Sequence, residues 1–457
     1  MKRTQKTLAA CQSEHSCHAI TPSPSAEEPP RAHLPTLLFL LGGFAQAAFL
    51  IWLFYLQPTN FVKLVWTPDT VGYVAPAQFF IENGRFPPDM VRTIGYPLFL
   101  AFAYTVGGAE HGAQVALILQ SIMNLAALVV FWTLLSELVP RASTGTRLVA
   151  AAIFWFASFG MALDLMSDFL FGFWLLLALS ILWRGRSMAL ILSGAGAVAA
   201  AGFTRPSVGG FVLLLPLLAL TIGRVASPVR PIHLGLYLGA VIAVTLTTSY
   251  IEHRKADRYS DSFEAFAAQA VLWNNGLTTQ DEVKTLVTSR AGLAYHDLTR
   301  AERTQYSRAV LIRELTRQPV PFLRVYSVNF AKYLMAPIER IVEIVLSAKA
   351  PSNYSRSRTR GILSVLWLPI LLLAIWPSAG TLDSRAGLYM FALLLSLYFL
   401  LLGSFWAMAG ERYRYPALPW MLMHFAGQLE AVKVWIRPRL LSQLRRRPLH
   451  VGSGAPR

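Results

Sequence analysis

Residues 36–56 read TLLFLLGGFAQAAFLIWLFYL, an apolar run without a charged side chain. A helix rises about 1.5 Å per residue, so a run of this length can cross a hydrocarbon core of about 30 Å. Comparable runs recur along the chain, in which 54% of the residues are hydrophobic and only 14% are charged. Soluble proteins carry about 25% charged residues. The sequence therefore predicts an all-α fold, a polytopic bundle of transmembrane helices.

The apolar runs predict about ten spans, with charged residues between them. Lys and Arg mark the cytoplasmic side of a membrane protein. If the spans alternate, the short basic connections and both termini fall on that side, and the protein is expected in a bacterial inner membrane. Residues 96–107 are apolar but short, and we place them as a helix at the outer surface. The predicted spans are 36–56, 112–139, 147–163, 165–183, 188–203, 206–222, 231–250, 361–376, 386–408 and 414–431.

The runs divide the chain into five regions. A long polar insertion falls on the outer side although it is strongly basic, because long translocated regions are largely exempt from the charge rule. The regions are a disordered cytoplasmic tail (1–35), an N-terminal transmembrane module (36–250) with its candidate active site in the first outward loop (58–97), an extracytoplasmic or interfacial helical insertion (251–360), C-terminal transmembrane helices (361–431) and a basic cytoplasmic tail (432–457).

The net charge of +17 does not indicate a nucleic-acid partner. A nucleic-acid site needs its basic residues on one soluble face, whereas these residues punctuate the apolar runs. Membrane topology explains their placement, so the expected surroundings are membrane lipids and no nucleic acid.

The first outward loop carries an acid and a cation close together in sequence. Asp69 lies in WTPDTVGY (66–73), and Arg92 precedes the turn GYP (95–97). Arginine offers a planar set of donors that suits phosphate oxygens and stays charged in a partly dry site. A carboxylate facing such a site is a candidate general base. The competing interpretations are a helix cap for Asp69 and a lipid-headgroup contact for Arg92.

Two further acids lie between apolar runs, in LDLMSD (163–168). Asp164 and Asp168 would share a face if both were helical. Carboxylates inside a spanning region are costly and mark functional sites. The candidate roles of these two are hydrogen bonding to a polar ligand, a second acid at the reacting centre, and binding of a divalent metal. The competing interpretation is a solvated turn and a helix N-cap. Hard cations want several oxygen ligands, so a metal is possible but unsupported, and no cofactor is expected.

Two more basic elements fall on the outer side. Arg205 precedes Pro206 at the start of a predicted span, and the segment ERYRYPALP (411–419) forms a charged and aromatic knot between two spans. Its basic residues lie opposite the side that the charge rule prefers, which favours a ligand. Headgroup anchoring is the competing interpretation.

Taken in order, these elements resemble the GT-C superfamily of integral-membrane glycosyltransferases. Its relatives include the dolichyl-phosphate-mannose protein mannosyltransferases and the bacterial aminoarabinose transferases that act on lipid A. The resemblance covers residues 36 to about 222 and returns at 411–419. The matching elements are the first-loop acid Asp69 with Tyr73, Arg92 with the following GYP, Asp164 or Asp168 at the fourth span, Arg205 with Pro206, and the late arginine, tyrosine and proline segment with Arg412 and Arg414.

The resemblance implies a polyprenyl-phosphate-sugar donor and inversion at the anomeric carbon, with Asp69 as the general base. A glycan, lipid or protein would be the acceptor, on the periplasmic side. Several relatives carry paired acids where this chain has a single one, which disfavours a metal-dependent version. The residues implied to hold the donor phosphate are Arg92, Arg205, Arg412 and Arg414, and those implied to contact sugar or acceptor are Tyr73, Tyr96, Asp164, Asp168 and Glu411.

Two other functions fit parts of the pattern. A transporter or flippase of a lipid-linked anion would use the same arginines for the phosphate and buried acids for proton coupling. A membrane scaffold would bind a partner through residues 251–360. Loss of activity on changing Asp69 separates the enzyme from the scaffold, and formation of a sugar bond separates it from the transporter.

Overall fold

The computed structural model contains helices and no strand within the residues that it describes, which confirms the all-α prediction. Those residues are 33–67, 69–87, 90, 92–184, 187–205, 231–253, 263–335, 340–349, 356–375, 397–398, 401 and 415–445. The predicted N-terminal tail, apart from its last residues, and the predicted spans 206–222 and 386–408, apart from 397, 398 and 401, lie outside them.

Fifteen α-helices of these residues are labelled in chain order. They are α1 (His33–Ile51), α2 (Phe61–Val65), α3 (Val71–Asn83), α4 (Gly95–Leu138), α5 (Thr144–Ala162), α6 (Ser167–Arg184), α7 (Met188–Thr204), α8 (Pro231–His253), α9 (Phe263–Asn274), α10 (Gln280–Ala291), α11 (Arg300–Arg317), α12 (Pro319–Met335), α13 (Arg340–Lys349), α14 (Arg356–Ile375) and α15 (Leu418–Arg445).

Three helical segments are long and apolar enough to cross a membrane by length and composition, namely Pro35–Leu56, Gly95–Leu138 and Thr144–Ala162. The first includes one π-helical turn, Trp52–Leu56, at its end. Shorter apolar helices follow at Ser167–Leu182, Met188–Thr204, Leu234–Thr248 and Ile362–Ala374. Helices therefore occupy the predicted ranges within the described residues, and the protein is an integral membrane protein.

Helix α4 is a hairpin and not one rod. Gly108 has φ 67° and ψ −178° in its middle, a conformation that is essentially restricted to glycine. The two arms fold back on each other, because the hydroxyl of Tyr96 donates to Oε1 of Gln120 over 2.7 Å, although a straight helix would place residues that far apart in sequence about 36 Å apart. Gly112 faces the ring of Tyr104 across the hairpin. The predicted division between residues 96–107 and the next span thus lies at a glycine turn.

Replacing Gly108 by alanine should destabilise the protein by about 1–3 kcal/mol, because a side chain at this φ and ψ is strained even with open space around it. No atom lies within 4 Å of the added methyl group, so the cost is purely conformational. Thermal unfolding in detergent measures it. Gly145→Ala is the matched control, since Gly145 is helical and its added methyl group also meets open space. Equal melting temperatures for the two variants would contradict the hairpin geometry.

One end of the bundle gathers the loops that were predicted on the outer side. The hydroxyl of Thr93 donates to the carbonyl of Thr204 over 2.6 Å, which joins the first loop to the end of α7. Gly95 lies directly on the same segment, because an added Cβ would come within 2.7 Å of the Phe203 backbone. We call this the site end, where the first loop, the turn after α5 and the end of α7 meet.

The opposite end gathers the connections that were predicted to be cytoplasmic. Arg184, in the last turn of α6, pairs with Glu137 of α4 over 3.0 Å. The hydroxyl of Thr146 donates to Glu430 of α15 over 2.8 Å. Helices that cross the membrane in alternating directions place successive connections at opposite ends of the bundle, as seen here. The side of the membrane that each end faces stays a prediction.

Small residues let the helices of the bundle approach closely. Gly172 of α6 lies against the ring of Tyr415, and Gly194 of α7 lies against the Tyr237 hydroxyl of α8. Association of helices in lipid depends on such close packing, because the lipid tails are as apolar as the side chains. The helix α15 begins after Tyr415 and continues to Arg445, beyond the predicted boundary at 431, with Glu430 and Lys433 paired one turn apart.

The insertion forms a small helical unit with a core of its own. Leu272, Val283, Val287, Leu298 and Val310 are buried together between α9, α10 and α11. Capping boxes begin α10 and α11. The backbone hydrogen bonds of these boxes lower the pKa of the glutamates concerned, Glu282 and Glu302.

The insertion predicted to be helical contains α9 to α13 within the described residues, and residues 336–339 lie outside them.

Candidate functional site

The first loop is held in a compact turn just before α3. The hydroxyl of Thr70 accepts from the backbone amide of Thr67 over 2.9 Å, and Thr70 is fully buried. Thr70 occupies the N-cap position of α3, so Asp69 stands one residue outside the helix.

Asp69 and Arg92 form an ion pair at the site end. The Nη2 atom of Arg92 lies 2.8 Å from Oδ1 of Asp69. Both side chains remain about one-third exposed, at 32% for the arginine and 36% for the aspartate. The Arg92 guanidinium also lies over the ring of Tyr73, 5.1 Å from its centroid, where the ring face attracts a cation. The structure thus joins the two residues singled out in the sequence and leaves both open to solvent.

The acids of the turn between α5 and α6 are buried and paired with different arginines. Asp164 lies in the turn and Asp168 in the first turn of α6, and their side chains are only 6% and 1% exposed. Arg205 lies 2.6 Å from Asp168, and Arg340 lies 2.6 Å from Asp164. The solvated-turn interpretation is wrong for both residues. They also do not act as a pair on one helix face, because α5 ends at Ala162 and Asp164 precedes α6.

A chain of contacts through Ser167 and Tyr73 connects Arg205 with Arg92. The Nε atom of Arg205 donates to Oγ of Ser167 over 3.2 Å, and that hydroxyl shares a 2.9 Å hydrogen bond with the hydroxyl of Tyr73. Because Arg92 lies on the Tyr73 ring, this tyrosine touches one cation with its face and reaches the other through Ser167. One buried tyrosine therefore links the two guanidinium groups, one at its ring face and the other through its hydroxyl.

Tyr96 packs against Tyr73 and fixes the position of its ring. Its ring meets that of Tyr73 edge to face, with centroids 5.2 Å apart, and it is fully buried. Its hydroxyl is bonded to Gln120, whose amide nitrogen donates to the carbonyls of Ala162 and Asp164. In this conformation the hydroxyls of Tyr73 and Tyr96 are used within the protein. Their predicted contact with sugar or acceptor stays a prediction, and in the structure the two rings pack against each other beside the ion pair.

Arg340 is a site residue that the sequence did not single out. It begins α13, far along the chain, and its guanidinium contacts Asp164, Glu343 and the carbonyl of Leu64. Burial alone would lower the pKa of Arg340, but the carboxylates of Asp164 and Glu343 outweigh burial and hold that pKa above its ordinary value. In the sequence it is one of several charged residues of the insertion, and nothing in its spacing connects it with Asp164.

Three predicted residues, Glu411, Arg412 and Arg414, lie outside the described residues. The neighbouring Tyr415 is described, is buried, and packs beside Phe169 of α6 with ring centroids 5.9 Å apart. The late segment therefore resumes next to the helix that carries Asp168. Within the described residues no group of three or more His, Cys, Asp or Glu side chains has the arrangement of a metal site, and the expectation of no cofactor stays a prediction.

No protein-family model and no curated protein sequence matches the chain. Among solved structures, the oligosaccharyltransferase of Archaeoglobus fulgidus tethered with an acceptor peptide is similar with a TM-score of 0.48 and 11% identity, over 90% of this chain and 51% of that one. ArnT from Cupriavidus metallidurans bound to undecaprenyl phosphate is similar with a TM-score of 0.34 and 15% identity, over 90% of this chain and 80% of that one.

The chain spans about half the length of the archaeal enzyme. At these TM-scores the likeness carries no residue roles across, so the function of this chain is argued below from its own side chains.

Proposed function

We propose that the protein is a membrane glycosyltransferase that moves a sugar from a polyprenyl-phosphate-linked donor to an acceptor on the extracytoplasmic side. The observation that carries the proposal is the partly exposed Asp69–Arg92 pair. The proposed transfer uses a carboxylate that takes a proton and a cation that holds a phosphate, and these two groups lie 2.8 Å apart at the site end. The GT-C pattern of the sequence supports the same assignment.

In the proposed reaction, Asp69 accepts the proton of an acceptor hydroxyl or amine. The acceptor atom forms a bond to the anomeric carbon while the bond from that carbon to the phosphate oxygen breaks. The products are the glycosylated acceptor and polyprenyl phosphate, with the configuration inverted because the displacement is direct. Arg92 and Arg205 stabilise the charge that develops on the leaving phosphate, since fixed donors act most strongly where charge appears. Arg412 and Arg414 are proposed for the same phosphate.

The two arginines have different freedom in this reaction. Arg205 is 16% exposed and is held by a nearly inaccessible acid, so it provides a fixed positive charge. Arg92 is twice as exposed, and its partner faces solvent. An incoming phosphate can therefore replace Asp69 at Arg92 without a rearrangement of the core. This exchange leaves the carboxylate available to the acceptor.

The donor-binding part of the proposal predicts that Arg92→Ala weakens binding of undecaprenyl phosphate by about ten-fold or more, since hydrogen bonds to charged groups contribute about 1.5–3 kcal/mol. Binding is measured with purified protein in detergent at two salt concentrations. Arg184→Ala is the matched control, because Arg184 is equally exposed and is also paired with a carboxylate, but at the opposite end. Equal affinities in the two variants would contradict a phosphate site at Arg92.

The reaction itself is tested by mass analysis of cell-envelope glycans, lipids and glycoproteins with and without the gene. A glycosyltransferase predicts a product that loses the mass of one sugar unit when the gene is absent, and that is restored by the unchanged protein but not by Asp69→Asn. A transporter of the lipid-linked sugar predicts accumulation of its cargo on one side of the membrane and no sugar bond made by the purified protein.

A further inference from the structure

Helix α13 enters the site end through its first residue. Arg340 is 15% exposed, and its Nε and Nη2 atoms both lie 2.6 Å from Oδ1 of Asp164. A third contact joins Nη1 to Glu343, one turn along the same helix, over 3.3 Å. The guanidinium therefore contacts two acids, Asp164 in the turn between α5 and α6 and Glu343 in its own helix.

The same guanidinium also reaches the element that leads to Asp69. Its Nη2 atom donates to the backbone carbonyl of Leu64 over 2.8 Å. Leu64 lies in the last turn of α2, whose final carbonyl groups have no partner within the helix and favour a cation. Asp69 follows Leu64 by five residues in a loop of short turns. The position of the loop is therefore tied to Arg340.

The close contact between α13 and α5 keeps this arrangement in place. Gly160 of α5 faces α13, and an added Cβ there would lie 3.2 Å from Cβ of Arg340 and 3.5 Å from Cγ1 of Ile341. Even an alanine there would require its neighbours to shift by a few tenths of an ångström. Gly160 lies near the end of α5, and Asp164 lies in the turn that follows. The packing of α13 on Gly160 and the Arg340–Asp164 ion pair therefore hold α13 at the same end of α5.

We infer that Arg340 is a positioning residue, which holds the first loop against the turn of Asp164 and thereby sets the place of Asp69. This inference rests on the proposed function of Asp69, although the contact between α13 and the loop does not. The insertion is then part of the active-site structure: it supplies a residue on which the geometry of the first loop depends.

The inference predicts a local effect on the loop. In Arg340→Gln the backbone amides of residues 61–74 should exchange hydrogen about ten-fold faster or more, because the loop opens more readily once this contact is lost. Amides of α11 in the insertion should keep their rates. Affinity for undecaprenyl phosphate should change by less than about three-fold, since Arg92 keeps its contacts, whereas kcat should fall by about 100-fold, the cost of misplacing a catalytic group by about 1 Å.

Two further variants keep the test decisive. Arg340→Gln alone leaves the buried charge of Asp164 without this partner and is at risk of misfolding. The triple variant Asp164→Asn with Arg340→Gln and Glu343→Gln, in which neither acid partner of Arg340 stays charged, should fold, still with fast exchange in residues 61–74. Arg313→Gln is the control, the same chemical change at an insertion arginine that pairs with its neighbour Glu314.

Unchanged exchange of residues 61–74 in the triple variant would overturn the inference. So would a loss of undecaprenyl phosphate affinity as large as that of Arg92→Ala, because Arg340 would then bind the ligand directly. Restoration of slow exchange and of kcat by Arg340→Lys would support positioning by a cation. Hydrogen exchange needs no substrate, so the result stands even if the protein proves not to transfer a sugar, and that failure would be seen separately in the envelope glycans.

Discussion

Asp69→Asn should lower the rate of sugar transfer by about 10²–10⁴-fold, the usual contribution of a general base, while undecaprenyl phosphate binds at least as tightly as before. The amide keeps the shape of the carboxylate but does not take up the acceptor proton. It also removes the negative charge that now occupies Arg92 at 2.8 Å. The substitution is therefore expected to slow the chemical step and to strengthen ligand binding.

The gain in binding should be small. An exposed ion pair contributes about 0.2–1 kcal/mol, so the affinity for undecaprenyl phosphate rises by at most about five-fold when the competing charge is removed. Higher salt should reduce the difference, because screening weakens exposed pairs. Titration of the purified variants with undecaprenyl phosphate measures this change, and product formation under single-turnover conditions measures the chemical step.

The chain offers a matched control for this variant. Glu137→Gln removes the acid of the Arg184 pair, which has similar exposure and lies at the opposite end of the bundle. It should change neither transfer nor phosphate binding. If Asp69→Asn transferred sugar at the unchanged rate, the base would have to be another group. If it abolished phosphate binding, Asp69 would contribute to the fold of the loop and not to the chemistry.

The part of the site that is local in sequence was predictable. Asp69 and Arg92 are 23 residues apart in one loop. Their place in that loop and the resemblance to the GT-C superfamily predicted that both belong to one site. The pairing of Asp164 was not predictable, because its partner Arg340 lies 176 residues away in the chain. Nothing in the periodicity of α13 distinguishes that arginine from its charged neighbours.

The fold shows a similar limit. Apolar runs of spanning length indicate helices directly, since in lipid the backbone must satisfy its own hydrogen bonds. The boundary near residue 108 was predicted from the shortness of the preceding run. The reversal of the chain there was not, because it depends on the positive φ of Gly108 and on the contact of Tyr96 with Gln120 across the hairpin. Contacts of this kind follow from packing and not from spacing along the sequence.

Arg205→Ala should destabilise the protein by about 3–5 kcal/mol, the cost of leaving a buried acid without its partner. Asp168 is only 1% exposed beside that arginine, so water cannot replace the arginine as a partner of the carboxylate. The double variant Asp168→Asn with Arg205→Gln removes both charges and should regain most of that stability. Thermal unfolding of the two variants in the same detergent measures the difference.

Stability and ligand binding should separate in that double variant. If Arg205 also holds the donor phosphate, the variant melts close to the unchanged protein but binds undecaprenyl phosphate about ten-fold more weakly, since a charge-assisted hydrogen bond is lost. Recovery of both properties would show that the arginine serves only the fold. Weaker binding combined with a normal melting temperature would assign Arg205 to the donor phosphate, at the end of a contact chain that runs through Ser167 and Tyr73 to Arg92.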